Sequence, residues 1–96
     1  MAAYRLTKQA DADLAGLYRY GIKEFGIKRA DRYYDSLLVR LEDITETPLL
    51  LQKTDYRSGY RRSVHPPHTI YYRVIDPETV EIVRILRGQD PREAFT

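Results

Sequence analysis

Apolar residues recur at three- and four-residue spacing in the first half of the chain and alternate in the second, so helices should precede strands. Ala10, Leu14, Leu17, Tyr18, Gly21 and Phe25 fall on one stripe of a helix whose opposite side is charged. Thr7 stands between a short opening strand, Tyr4-Arg5-Leu6, and that helix, where its hydroxyl can cap the first free N–H groups. Gly26 ends the helix, because glycine takes the left-handed cap conformation without steric cost. Ala30, Tyr33, Tyr34, Leu37, Leu38, Leu41 and Ile44 form a second stripe, and Pro48 sets its latest end. Helices joined this tightly form an antiparallel hairpin.

The periodicity fails over 49–57, and beyond it β-branched and aromatic residues predict strands over 60–64, 68–75 and Thr79–Leu86. Pro66-Pro67 and Asp76-Pro77 punctuate these strands, since proline cannot donate to a ladder, and such short connections make antiparallel neighbours. In the order β-α-α-β-β-β both helical stripes are buried only if the hairpin lies across one face of a small, mostly antiparallel sheet, which is an α+β fold. A chain of 96 residues suits one core, so 1–96 is read as a single domain. The tail over 88–96 is too polar to assign to an element.

A hydrophobic fraction of 43% with 31% charged residues belongs to a globular protein, and no apolar run is long enough to span a bilayer. The first residues lack the apolar stretch of a secretory signal, which makes the cytoplasm the expected location. The absence of cysteine excludes disulfides and a thiol nucleophile, and two histidines make a sparse metal set, so neither metal nor cofactor is expected. The net charge of +2 is too small to mark a nucleic-acid binder. Its distribution is uneven: acids and bases balance at nine each over 1–56, whereas 57–73 holds Arg57, Arg61, Arg62 and Arg73 and no acid. That run is either a solvated strand face or a surface for a partner.

Several short pieces of the chain stand in a fixed order. They are Tyr4-Arg5-Leu6-Thr7, Ala12-Asp13-Leu14 with Tyr18 and Tyr20, Phe25-Gly26 with Ala30 and Tyr34, and Gly59-Tyr60-Arg61-Arg62. His68-Thr69-Ile70-Tyr71-Tyr72-Arg73-Val74 and Val80-Glu81-Ile82-Val83-Arg84-Ile85-Leu86 complete the set. No piece is specific alone, but their joint order and spacing over nearly the whole chain are. The sequence therefore resembles the ParE branch of the RelE/ParE superfamily. The resemblance implies the fold above, a type II toxin–antitoxin pair, a ParD-like antitoxin whose C-terminal region wraps the toxin, and DNA gyrase as the poisoned target. At its end the chain departs from the pattern: Arg87 and Gln89-Asp90 stand where those toxins usually carry a histidine and a Met-Asp pair.

The sibling RelE branch cleaves messenger RNA on the ribosome, which needs a base, an acid and cations for the phosphorane. Near the arginines only His65, His68, Tyr71 and Tyr72 could donate or titrate, and 87–96 holds no histidine or tyrosine of the sort RelE-type nucleases place there. A toxin that acts by binding, with no catalytic residue, is therefore expected; an endoribonuclease and a non-toxic interaction module are its rivals. His68 alternates in phase with Ile70, Tyr72 and Val74, so it either rims the core or bonds a partner. His65 reads as an exposed turn residue, Tyr18, Tyr33 and Tyr34 as core aromatics, and Asp11, Asp13 and Glu24 as the solvated face of the first helix. Val80, Ile82 and Leu86 alternate with Val83 and Ile85, which makes the last strand apolar on both faces and calls for a second cover, from the tail or from a partner. The expected partner surface thus comprises Arg57, Arg61, Arg62 and His68, then Arg73 and Arg84 facing outward, then Val80, Ile82, Leu86 and Arg87. An acidic, amphipathic antitoxin segment is its expected occupant.

Overall fold

The computed structural model describes residues 3–48 and 59–88. The elements run β1 (Ala3–Leu6), α1 (Lys8–Phe25), α2 (Ile27–Glu46), β2 (Arg61–His65), β3 (His68–Asp76) and β4 (Thr79–Leu86). They form two helices on one face of a four-stranded mixed sheet of order β1-β4-β3-β2, the α+β arrangement expected. β2–β3 and β3–β4 pair antiparallel, whereas β1 lies parallel to β4 because the helical hairpin carries the chain back across the sheet. The irregular stretch expected over 49–57, Arg57 with it, and all of the tail beyond Gly88 lie outside the described residues.

Local chemistry explains the boundaries. The Thr7 hydroxyl accepts from the Ala10 N–H at 3.0 Å, which caps α1, and donates to the Val83 carbonyl at 2.7 Å, which ties the helix start to β4. Gly26 joins the helices at φ 86°, a left-handed value that a side chain would strain. The hairpin closes tightly because Gly21 faces Ala30: a Cβ at position 21 would meet the Ala30 Cβ at 3.4 Å. Leu37, Leu41 and Ile44 of α2 pack with Leu14 of α1 against Ile70, Tyr72, Val80, Ile82 and Ile85 of the sheet. Burial contributes about 1.5–3 kcal/mol for each such large aliphatic side chain. The Tyr72 hydroxyl, the polar atom of an otherwise apolar core, donates to the Pro48 carbonyl at 2.6 Å, and burial pushes the phenol up to about 12.

The expectation that β4 is apolar on both faces along its length needs correction. Tyr72 pairs with Ile82 but Tyr71 pairs with Arg84, so Val83 is an extra residue on β4. This bulge shifts the alternation by one, and Val80, Ile82 and Ile85 all reach the helix side. Leu86 then points to the far face with Tyr71, and both are buried. The demand for a second cover shrinks from the whole strand to its end.

Candidate functional site

The structure separates the expected partner surface into four environments. Val80 and Ile82 lie in the core beneath the helices, and Leu86 is buried on the other side, so none offers a surface to a partner. These three positions are corrected for that reason. Arg61 falls on β2 opposite Tyr72 and so on the helix side of the sheet, where it lowers the Tyr72 phenol against the stronger effect of burial. Arg62 and Arg73 do share a face, the far one, together with Tyr71.

That far face carries an ion bridge across three strands. Glu81 of β4 accepts from Arg73 Nε of β3 at 2.8 Å through one oxygen and from Arg5 Nε of β1 at 3.1 Å through the other. Arg73 is 45% exposed, so its pairing with Glu81 leaves it at the surface. Beside it, Arg62 lies opposite Tyr71, and its Nε is buried without a hydrogen-bond partner. Arg5 belongs to this face too, although nothing in the basic run marked it.

Arg84 does not face outward. Its Nε and a terminal nitrogen reach the two oxygens of Asp13 on α1 at 2.8 and 3.0 Å, with side chains only 18% and 16% exposed. The same Asp13 accepts the Ile85 N–H at 2.9 Å, filling the ladder position that β1 vacates after Leu6. The hydrogen bond to Asp13, followed by its charge, raises the Arg84 guanidinium against the opposing effect of burial. Asp13 is therefore a structural clamp and not part of a solvated face, and Arg84 is spent on the fold.

His68 and Arg87 meet at the end of the sheet where Thr69 pairs with Leu86, close to that clamp. The cis Pro66-Pro67 turn joins β2 to β3 and brings His65 and His68 against Tyr33 of α2, with ring centroids 5.4 and 5.5 Å from it. The Tyr33 hydroxyl is 2.6 Å from His68 Nδ1 and 3.2 Å from the His65 carbonyl. A phenol has one proton, so both contacts are satisfied when His68 carries its hydrogen on Nδ1 and Tyr33 donates to the carbonyl. His65 Nε2 pairs with Ser36 Oγ at 3.1 Å, so His65 is docked on α2 and not free in a turn. Burial first, then Arg87, then His65 lower the His68 imidazole, with Asp13 opposing, while burial and then Arg40 lower His65. Burial pushes the Tyr33 phenol up to about 12 against the opposing charge of Arg87. Both imidazoles are thus harder to protonate than a free histidine.

Next to this cluster opens an apolar cleft of about 220 Å³ between the helical hairpin and the β2–β3 turn. Leu17, Tyr18, Tyr20, Gly21, Phe25, Arg29 and Ala30 line the hairpin side, and Tyr33, Pro67, His68 and Arg87 complete it. The Arg29 guanidinium lies over Phe25 and that of Arg87 over Tyr20, each 5.2 Å from the ring centroid. Sequence reasoning placed Phe25 on the core stripe, yet it is 51% exposed, and it assigned nothing to Tyr20 or Arg29. Their only sequence signal is the four-residue step from Phe25 to Arg29, which Gly26 interrupts; Tyr20 and Arg87 meet solely through the fold. Among the described residues no group of histidines and carboxylates could hold a metal, and no helix is long and apolar enough to cross a membrane.

Comparison with known proteins places this geometry. The profile of the ParE toxin of type II toxin–antitoxin systems, parDE, matches residues 4–91. Toxin ParE1 of Caulobacter vibrioides is 37% identical over 87 residues, 90% of this chain and 88% of the relative. Toxin ParE1 of Mycobacterium tuberculosis is 29% identical over 84 residues, 86% of each. Among solved structures, a chain of the chromosomal ParDE system of P. aeruginosa superposes with a TM-score of 0.81 at 20% identity, covering 93% of this chain and 98% of that one. A chain of the RelBE2 toxin–antitoxin complex of M. tuberculosis follows with a TM-score of 0.65 at 22% identity, over 90% and 96%. These two share the fold. The family match over most of the chain, together with the Caulobacter relative, establishes that this chain belongs to the ParE toxins of type II toxin–antitoxin systems.

Proposed function

We propose that this toxin acts in the cytoplasm by binding and poisoning DNA gyrase, without cleaving RNA, and that a ParD-like antitoxin neutralises it. The observation that carries the non-enzymatic reading is how the acid–base groups are used. His68 is engaged by Tyr33, His65 by Ser36 and Tyr72 by the Pro48 carbonyl, while Tyr71 is buried. Of the nearby arginines, Arg84 is held by Asp13 and Arg73 by Glu81. Phosphoryl cleavage calls for an acid and a base free to move protons, and these side chains are holding strands and helices together. The names of the relatives and the ParDE context of a fold neighbour support the ParD-like partner. Arg61, Arg62, Arg73 and Arg87 remain the proposed polar contacts.

Two assays on the purified protein separate the readings. Inhibition of gyrase supercoiling, with no cleavage of messenger RNA in a translating extract, is the expected result. Ribosome-dependent RNA cleavage with unaffected supercoiling would transfer the assignment to a RelE-type endoribonuclease, on whose fold the RelBE2 likeness bears. Normal growth and division under strong induction without antitoxin would remove toxicity altogether.

A further inference from the structure

Among the described residues the sheet of order β1-β4-β3-β2 has β1 and β2 as its outer strands, and the two are built differently. β1 is four residues long and turns into α1 at Thr7, which leaves little backbone for pairing. β2 is five residues long, and each of them pairs with β3, from Arg61 opposite Tyr72 to His65 opposite His68. Its other side carries N–H and C=O groups that point away from β3, the kind of template on which a further strand adds.

His65 and His68 flank the two-residue Pro66-Pro67 connection, so their backbone groups face each other, and successive carbonyls along a strand point to opposite sides. The outward carbonyls of β2 are therefore those of Arg62 and Val64. Arg40 of α2 occupies the second: its Nη1 donates to the Val64 carbonyl at 3.1 Å and to Ser63 Oγ at 3.1 Å. A terminal guanidinium nitrogen carries two hydrogens, so one atom serves both oxygens. Ser63 is buried, which makes its hydroxyl a fixed anchor for the cation. The N–H of an added strand would stand about 2.9 Å from the Val64 carbonyl, in the place that Nη1 holds. That strand would run about 4.8 Å from β2, across the volume of the guanidinium.

We infer that Arg40 blocks the outer edge of β2 and keeps it from pairing, antiparallel and about a two-fold axis at Ser63, with β2 of a second copy of this chain. In that register Arg62 stands opposite Val64 and Arg61 opposite His65, so no two arginines are directly opposed. The outward N–H of Arg62 then meets the Val64 carbonyl of the second copy, and the N–H of Val64 meets its Arg62 carbonyl. This self-complementarity is what selects a second copy as the occupant. Val64 adds to the tendency, since its β-branched side chain is 55% exposed on the outer strand. The inference stands whether or not gyrase is the target.

Sedimentation of the full chain over a concentration series, with amide hydrogen exchange read by NMR, tests it. Arg40→Met keeps the stem of the side chain and removes its donors. It should raise the self-association constant about tenfold or more over the parent, because a two-fold pair contains the Arg40 site twice. Exchange at the Arg62 and Val64 amides should slow in that variant as its concentration rises. Arg40→Lys, which retains a charge and a donor, should stay near the parent. Ser63→Ala removes the anchor and leaves the arginine, so it should show the same association to a smaller extent, and it carries the test if Arg40→Met does not fold. Adding Val64→Pro to Arg40→Met deletes an outward N–H and spares the ladder to β3, so it should restore the monomer. A folded Arg40→Met or Ser63→Ala protein that sediments like the parent would overturn the inference, as would association that Val64→Pro leaves unchanged. Slowed exchange confined to the helical hairpin, or a parent already paired through β2, would overturn it too.

Discussion

Replacing Asp13 with alanine removes three contacts at once: two charge-assisted hydrogen bonds to Arg84 and the acceptor of the Ile85 N–H. Breaking one side of a fully buried ion pair costs about 3–5 kcal/mol, because the partner charge is stranded. Here the side chains retain 18% and 16% exposure, so water recovers part of the loss and the expected cost is about 2–4 kcal/mol. Arg84→Met should cost less, about 1–2 kcal/mol, since Asp13 keeps the Ile85 N–H and its remaining lone pairs can reach solvent. Asp13→Asn retains one carbonyl oxygen and falls between the two. Urea unfolding of the four proteins, with a common slope, measures the series, and the double variant Asp13→Ala/Arg84→Met should show strong non-additivity. For a domain of this size the Asp13→Ala loss corresponds to a melting temperature lower by about 10 °C or more. If Asp13→Ala unfolds within about 0.5 kcal/mol of the parent, the clamp is not what registers α1 on β4, and the account of Arg84 as a structural cation fails.

Three further outcomes follow from the same geometry. Thr7→Ala deletes the cap of α1 and its tether to the Val83 carbonyl, so thermal unfolding should report a loss of about 1–2 kcal/mol, against near neutrality for Thr7→Ser. Gly21→Val should cost about 1–3 kcal/mol by overfilling the Gly21–Ala30 contact, whereas Gly21→Ala, at the edge of ordinary contact, offsets that crowding with its better helix propensity; calorimetry of both variants checks the contrast. His65 and His68 are lowered in the folded protein, so the unfolded chain binds more protons as pH falls below about 6.5. Stability contributed by the neutral imidazoles is therefore fully present above that pH and is lost as pH falls through the folded values. Melting curves between neutral and mildly acidic pH should decline accordingly and flatten in His68→Gln, and NMR titrations of both rings should give midpoints below the ordinary histidine value.

The periodic elements were legible in the sequence because their causes are local. The stripes through Leu14 and Leu41, the Thr7 cap, the Gly26 break and the prolines at 66, 67 and 77 act over a few residues, and the helices and strands they imply are those observed. The family too was readable, since it rests on the order of short pieces. What the sequence could not reveal was the phase of β4 after Ile82. The alternation of Val80, Ile82, Val83, Ile85 and Leu86 is equally consistent with a straight two-faced strand and with a bulged one-faced strand. The choice is made by Thr7 and Asp13, some seventy positions earlier, which take the Val83 carbonyl and the Ile85 N–H. The same bonds turned an apparent surface acid into a clamp and withdrew Arg84 from any partner. The cleft is likewise tertiary: Tyr20 and Arg87 carry no local pattern, and they face each other only because the hairpin packs its tip beside the end of β4. Local propensity settles which element a residue joins, whereas the neighbours of a polar side chain depend on how distant segments satisfy their leftover hydrogen bonds.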